Sequence, residues 1–463
     1  MKVISAVIGM YDIMERKVSL VESLDKKRAP FKEMAAIYIL SPCKKSVEKL
    51  VKDYEDKSKL LYGDAAFVFF LGPIPSQLLD MLMKCKQLTK RLKSLSEINV
   101  DFLVKEDRAY QLEISSPFRD FYTRKSSARR AEAKIASKLV TLCASLNEYP
   151  YIRYNQSSRV CSSLALTFKS EMDGFVGANP NWWYHGSGGS GKQSTELERS
   201  TILLLDRSSD CLTPLMHDFT YQPMVQDLLA LEGAKITVDV EGADDPDESN
   251  KKDVLLNDKD KLWVELRSKH IAQVIEILSS RISETVNSGS GNALSGSGKD
   301  VSLSQLSAAL KALPEYRQVI SKLSQHMHIS RECMDKFSKH SLYELSELEQ
   351  LLATGEDDEG DKIDPGDLVD AVEQKLIRLK DSKSRLRLLM IAILCLDGLE
   401  KDRLTRAAKL NRDEILTVEN LSRIGGSSFK ISKKKKNKKG GFFRYVFILH
   451  FLNKMLLLLS SVF

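Results

Sequence analysis

Short apolar runs separated by amphipathic segments mark the first hundred residues. Ala35 to Leu40 and Ala65 to Leu71 are bounded by polar or Pro-Gly positions, and a charged amphipathic stretch from Lys44 to Leu60 lies between them. Brief continuous apolar runs alternating with helical periodicity predict a β-α-β unit. A helix-like stretch from Ser76 to Leu95 leads to a third predicted strand, Ile98 to Val104. A small parallel-sheet domain is therefore expected over 1–104.

Beyond it, Ala131, Ile135, Leu139 and Leu142 fall at helical spacing, and an extended segment follows from Tyr149 to Tyr154. After a Gly-Ser linker, Gly186 to Lys192, the run Thr201 to Leu205 has the unbroken apolar character of a parallel strand covered on both faces. Residues 105–219 thus predict a second α/β domain. From 220 to 436 helical periodicity dominates, interrupted by acidic or Gly-Ser loops at Glu241 to Asp260, Asn287 to Lys299 and Glu356 to Asp367. Leu262, Leu266, Val274 and Leu278 are spaced to line one helical face, as are Leu303, Leu306, Leu310 and Leu313, and Val319, Leu323 and Met327. A mostly helical third domain follows, with a basic then apolar tail at 437–463.

Length and composition add limits. A chain of 463 residues divides into several cores, and 43% hydrophobic with 29% charged residues is the balance of a globular protein. Much of the net charge of +7 comes from Lys433 to Lys436 with Lys438 and Lys439. No basic stripe with interleaved aromatics appears elsewhere, so no nucleic-acid partner is expected. Seven scattered cysteines without a CxxC pair argue against a disulfide framework or zinc module and fit a reducing cytosol. Met1 to Met10 lacks the pattern of a signal peptide.

Three apparent catalytic or metal motifs fail on physical grounds. Gly186 to Lys192 mimics a phosphate-binding loop, and Leu203-Leu204-Leu205-Asp206 an acid-ended strand. The loop follows Asn181-Trp182-Trp183-Tyr184 instead of a strand, Gln193 stands at the hydroxyl position, and too few residues remain for the required helix. His217 near Asp206, Asp210 and Cys211 suggests a hydrolase, but no nucleophile elbow accompanies it, so it reads as a structural histidine. His326 and His328 diverge on a helix, which argues against a metal site shared with His340. No cofactor is expected. The strongest local feature is a strand ending in a charged turn, Leu205-Asp206-Arg207 through Asp210 and Pro214 to His217, in which Arg207 is positioned to contact Asp206 or Asp210.

This stretch, continuing through Thr220-Tyr221-Gln222 to Asp227-Leu228-Leu229, resembles the signature of the SM (Sec and Munc) family. The resemblance extends through Leu262-Trp263-Val264-Glu265-Leu266-Arg267, Leu313-Pro314-Glu315-Tyr316 and His326-Met327-His328. Upstream it includes Val18-Ser19-Leu20-Val21-Glu22, Leu95-Ser96-Glu97-Ile98-Asn99 and Leu146-Asn147-Glu148-Tyr149-Pro150, and it spans Lys2 to Lys436. Met10-Tyr11-Asp12-Ile13-Met14 and two further strings are similar to the animal exocytic Munc and Rop branch. The family has a further helix and strand before the residues matched by Lys2 and continues beyond Lys436 to complete its second domain. Gly9 stands where relatives carry a lysine.

The resemblance implies a non-enzymatic α/β multidomain arch that binds syntaxin and assembled SNARE complexes and regulates vesicle docking and fusion at the cytoplasmic face of membranes. Lys2 and Glu22 would face syntaxin in the cavity, and Leu79, Leu92, Leu95 and Glu97 would line a pocket for its N-terminal peptide. Pro314 falls at the family's hinge and Met327 at its contact with the vesicle SNARE. Asp206, Arg207, Asp210, Pro214 and His217 are the structural signature. The apolar tail Phe442 to Phe463 raises a second reading, a tail-anchored adaptor. Lys454 opposes insertion by about 2.5–3.5 kcal/mol at a span's centre, so an aberrant ending that replaces the family's last part is the expectation.

Overall fold

The computed structural model describes residues 10–56, 60–63, 65–123, 125–184, 199–239, 251–288 and 314–424. They fall into two compact units, Met1–Asp206 and Arg207–Phe463.

The described part of unit 1 begins with a short helix α1 (Met10–Glu15), then alternates β1 (Ala36–Leu40), α2 (Lys44–Tyr54), β2 (Ala66–Phe70), α3 (Ser76–Met83), α4 (Lys86–Thr89) and β3 (Leu92–Glu97). The strands form a parallel sheet in the order β1-β2-β3. Alternation places Tyr38, Leu40, Val68 and Phe70 in a core with Val47, Leu50 and Tyr54 of α2. On the opposite face of β1, Ile37 and Ile39 remain exposed.

The predicted third strand sits elsewhere. Residues 92–97 pair with β2, whereas Leu103–Glu106 (β4) turns back on Ala109–Gln111 (β5) as an antiparallel hairpin. The cause is a bulge: Leu92 stands opposite Ala66 and Ser94 opposite Phe67, leaving Lys93 as the extra residue. The bulge puts Leu92 and Leu95, three positions apart, against the same core, so a strand carries a helix-like spacing. The backbone of 98–100 still runs along the end of β2, with Ile98 N–H on Phe70 O at 2.8 Å and Val100 N–H on Leu71 O at 2.6 Å.

The remainder of unit 1 packs α5 (Lys125–Leu146) against α6 (Arg159–Ala178) through Ala136, Val140, Phe168 and Met172. A two-stranded parallel sheet, β6 (Tyr151–Tyr154) and β7 (Thr201–Leu204), lays Ile152, Ile202 and Leu204 on these helices. Coverage on both faces was the expectation for β7. Among the described residues only one face is covered, and Leu203 and Leu205 are 46% and 66% exposed.

Unit 2 runs from two 3-10 turns, Arg207–Ser209 and Thr213–Leu215, into α7 (Tyr221–Leu228), β8 (Lys235–Asp239), β9 (Lys251–Leu255), α8 (Lys261–Leu266) and α9 (Ile271–Ser288). Then come α10 (Pro314–Lys339), α11 (Leu342–Thr354), α12 (Pro365–Arg378), α13 (Ser382–Cys395), α14 (Lys401–Ala408) and α15 (Arg412–Ile424). Two readings change here. The acidic stretch 241–260 contains a strand, since Val254 and Leu256 pack beside Ile236 and Val238 in an antiparallel hairpin. The periodic set from Leu262 to Leu278 belongs to two helices, because Gln222 N–H bonds Arg267 O and Ile271 N–H bonds Phe219 O, both at 2.9 Å, drawing 267–271 into a bridge.

Helices α11 to α15 share one core, centred on Leu345, Val372, Leu388 and Ile391, and α7 to α10 with the hairpin share another around Tyr221, Trp263 and Val274. Phe219, Leu228 and Phe337 pack against both cores, and the rings of Phe219 and Phe337 meet edge to face at 5.1 Å. The segment 287–313, with the apolar set from Leu303 to Leu313, and the tail from 425 on lie outside the described residues, apart from the end of α9 at 288.

Candidate functional site

The end of β3 brings three of the singled-out residues onto one face. Leu95 and Glu97 are two apart, and the bulge adds Leu92 to their side. Leu92 and Leu95 are half-buried against the sheet core, while Glu97 is exposed. Glu97 Oε1 accepts the Ile74 backbone N–H at 2.8 Å, which orients the carboxylate. Leu79, also half-buried, lies on α3, which begins just after Ile74. Apolar side chains beside one solvent-facing carboxylate offer an anchor for an apolar group and a partner for a cation. Glu22 is exposed. Lys2 lies outside the described residues.

The charged turn that begins at Asp206 and runs to His217 is held residue by residue. Asp206 accepts hydrogen bonds from Tyr122 Oη and Ser158 Oγ, each at 2.7 Å. Ser158 also caps α6 by accepting the Cys161 N–H. Arg207, exposed, donates to the Asp210 carbonyl at 2.6 Å, and Asp210 Oδ1 accepts from the backbone N–H groups of Leu212 and Thr213. Pro214 lies inside the following 3-10 turn, where its missing N–H is harmless.

His217 closes the turn and is nearly enclosed. Its backbone N–H donates to Glu349 Oε2 at 2.9 Å, and its Nδ1 lies 2.8 Å from Glu349 Oε1. Arg387 Nη1 lies 2.7 Å from the other ring nitrogen, Nε2. A carboxylate accepts and a guanidinium donates, so the network assigns the neutral tautomer with its proton on Nδ1. Arg387 also donates to Asp227 Oδ2 at 2.6 Å. Burial opposes the charge on Asp227, but the hydrogen bond and charge of Arg387, with the charge of Lys383, outweigh it and hold the carboxyl below its usual value. Glu349 and Arg387 carried no local sequence signal; only the fold brings them to His217. Asp206 and His217 are each held by hydrogen bonds within their own unit.

On α10, His326 is buried, with its ring stacked on Trp263 and Nδ1 3.0 Å from Tyr221 Oη. Its Nε2 faces Asp260, which also accepts from Lys322 Nζ at 2.5 Å and caps α8 through the N–H groups of Leu262 and Trp263. His328 is half-buried on a different side of the helix. Among the described residues no three His, Cys, Asp or Glu side chains converge on a metal position. Met327 is buried in the core beside Leu323, so it presents no surface in this conformation. Pro314 is the first residue of α10, the helical position where proline costs least.

Burial opposes ionisation of Asp260, yet His326 and Lys322 hold its carboxyl well below the ordinary range. A depressed folded-state value contributes stability above the unfolded-state value of about 4, and that contribution is lost as pH falls further. Asp260→Asn keeps a helix-capping oxygen and removes the charge. The native chain should therefore lose more protection than this variant between about pH 5 and pH 3. Hydrogen exchange at the Trp263 amide reads the difference; equal losses would remove Asp260 as a source of acid sensitivity.

All seven cysteines are free, and burial pushes the Cys143, Cys333 and Cys395 thiols up to about 12. The loop Gly186 to Lys192 lies outside the described residues. No described helix is long and apolar enough to cross a membrane.

The Sec1 family model matches residues 1–456. The chain belongs to the Sec1 family. Among similar Sec1 proteins, the protein transport protein sec1 of Dictyostelium discoideum is 33% identical over 94% of this chain and 70% of its own length. The SNARE-interacting protein KEULE of Arabidopsis thaliana is 31% identical, covering 95% of this chain and 65% of its own length. The chain thus spans about two thirds of these relatives. Among solved structures, the Unc18–syntaxin 1 complex from Monosiga brevicollis aligns with a TM-score of 0.77 at 25% identity, over 95% of this chain and 76% of that one. The SM protein Vps45 in complex with the Qa SNARE Tlg2 gives 0.69 at 20% identity, over 92% and 71%, a likeness of fold.

Proposed function

We propose that this chain is a non-enzymatic regulator of SNARE-mediated vesicle docking and fusion, acting by binding a syntaxin from the cytoplasm as a peripheral component of the fusion site. The observation that carries the reading is the likeness, across 95% of the chain, to an Unc18 protein solved together with syntaxin 1. Within it, Leu79, Leu92, Leu95 and Glu97 take the N-terminal peptide of syntaxin: the leucines receive an apolar side chain, and the Glu97 carboxylate receives a basic one. Glu22 and Lys2 meet the folded part of syntaxin, and Pro314 with Met327 serves the vesicle SNARE once α10 rearranges. The three-part division at 104 and 219 belongs to the same reading.

Glu97→Gln isolates the charge, because the amide oxygen still accepts the Ile74 N–H. Binding of a synthetic syntaxin N-terminal peptide should weaken by about 1.5–3 kcal/mol, the worth of a hydrogen bond to a charged group. Fluorescence anisotropy with native chain and variant measures it. An unchanged affinity would remove Glu97 from the site.

A further inference from the structure

A groove opens in unit 2 between the start of α8, the second half of α9 and the first half of α10, enclosing a cavity of about 480 Å³. That volume is in the range of binding pockets, about 300–1,000 Å³. Its floor is apolar: Leu262 and Leu323 line it, and Val319 is 51% exposed at its side. A lone exposed valine is unremarkable, but one continuous with a concave apolar floor is a docking surface.

The charges around the floor divide into two kinds. Lys322 is committed to Asp260 at 2.5 Å, and Arg281 makes a two-pronged pair with Glu265 at 2.6 and 2.9 Å. Glu284 accepts from Ser280. Lys259 and Lys261 are exposed and belong to none of these pairs. The Ser280 hydroxyl leaves the charge of Glu284 in place, so among the described lining residues the charge outside these ion pairs is two lysines against one carboxylate, net positive over an apolar floor. A simple anion would use the lysines and leave the floor wet, whereas an apolar peptide would leave the lysines unused. We propose that this groove docks an acidic polypeptide segment that also carries an apolar side chain. The apolar group seats on Leu262, Val319 and Leu323, and carboxylates meet Lys259 and Lys261 at the rim. This site is separate from the end of β3 and does not rest on syntaxin binding.

The test selects peptides from a random displayed library on the full chain, then compares the native protein with the double variant Lys259→Glu/Lys261→Glu by anisotropy. Both lysines are exposed, so the variant should keep the native unfolding transition. Selected peptides should be acidic and apolar, bind the variant at least ~10-fold more weakly, and lose affinity with added salt. Changing the acidic residues of the peptide to lysine should restore binding to the variant and abolish it on the native chain. Peptides without acidic bias, binding indifferent to the charge reversal, failure of the charge swap, or equal occupancy by inorganic phosphate would each overturn the proposal.

Discussion

Replacing Asp53 by alanine is expected to destabilise unit 1 by about 3–5 kcal/mol, the cost of leaving a buried charge without its partner. Asp53 sits on the inner face of α2 with its side chain 4% exposed, and it receives both prongs of the Arg28 guanidinium at 2.6 and 2.9 Å. Tyr38 Oη donates to the same carboxylate at 2.9 Å, tying β1 to α2. Burial works against the charge on Arg28, but its hydrogen bonds to Asp53 and the carboxylate charge prevail and raise its proton affinity above the ordinary value. The guanidinium cannot neutralise itself when Asp53 is lost, and Arg28 Nε already has no partner. Hydrogen exchange at the β1 and β2 amides resolves the effect in unit 1, where a whole-chain unfolding curve would mix two units. Removing both charges, Arg28→Met with Asp53→Leu, should recover most of the loss. A double variant as unstable as Asp53→Ala would show that shape, not the orphaned charge, sets the cost.

The second large effect is expected at Glu349. Alanine there strips the acceptors from two buried donors, the His217 backbone N–H and Nδ1–H, at about 1–3 kcal/mol each, so about 2–6 kcal/mol in all. The loop that His217 anchors leads directly to Phe219, where the two cores of unit 2 meet. Loss of the anchor should therefore loosen both cores together, seen as faster exchange at Leu345 and at Val274. Glu349→Gln supplies one acceptor and places an amide donor against the other N–H, so its loss should be intermediate. A glutamine variant as stable as the native chain would show that one hydrogen bond suffices to hold the turn.

These two networks mark where sequence reading stops. The alternating runs of β1 and β2 and the long periodic helices α5 and α10 are legible because each is written in consecutive residues. Leu92 and Leu95 mislead, because a bulge depends on the partner strand and leaves a helical spacing behind. Val254 and Leu256 were hidden in an acidic stretch whose apolar positions gain meaning only opposite Ile236 and Val238. His217 was readable as structural, but Glu349 and Arg387 lie 132 and 170 positions away, and no local pattern pairs them. At the end of β3 the residue types were legible from the family resemblance. The bond from Ile74 to Glu97, which aims the carboxylate, required the fold.

The most direct measurement is calorimetric titration of the full chain with the cytosolic region of a set of syntaxins, each with and without its N-terminal peptide. Saturable binding to at least one, weakened by removal of the peptide and by Glu97→Gln to a similar degree, is the predicted result. A chain that unfolds cooperatively yet releases no binding heat with any of them, and shows no association in an independent sedimentation assay, would contradict a syntaxin-binding role for this protein.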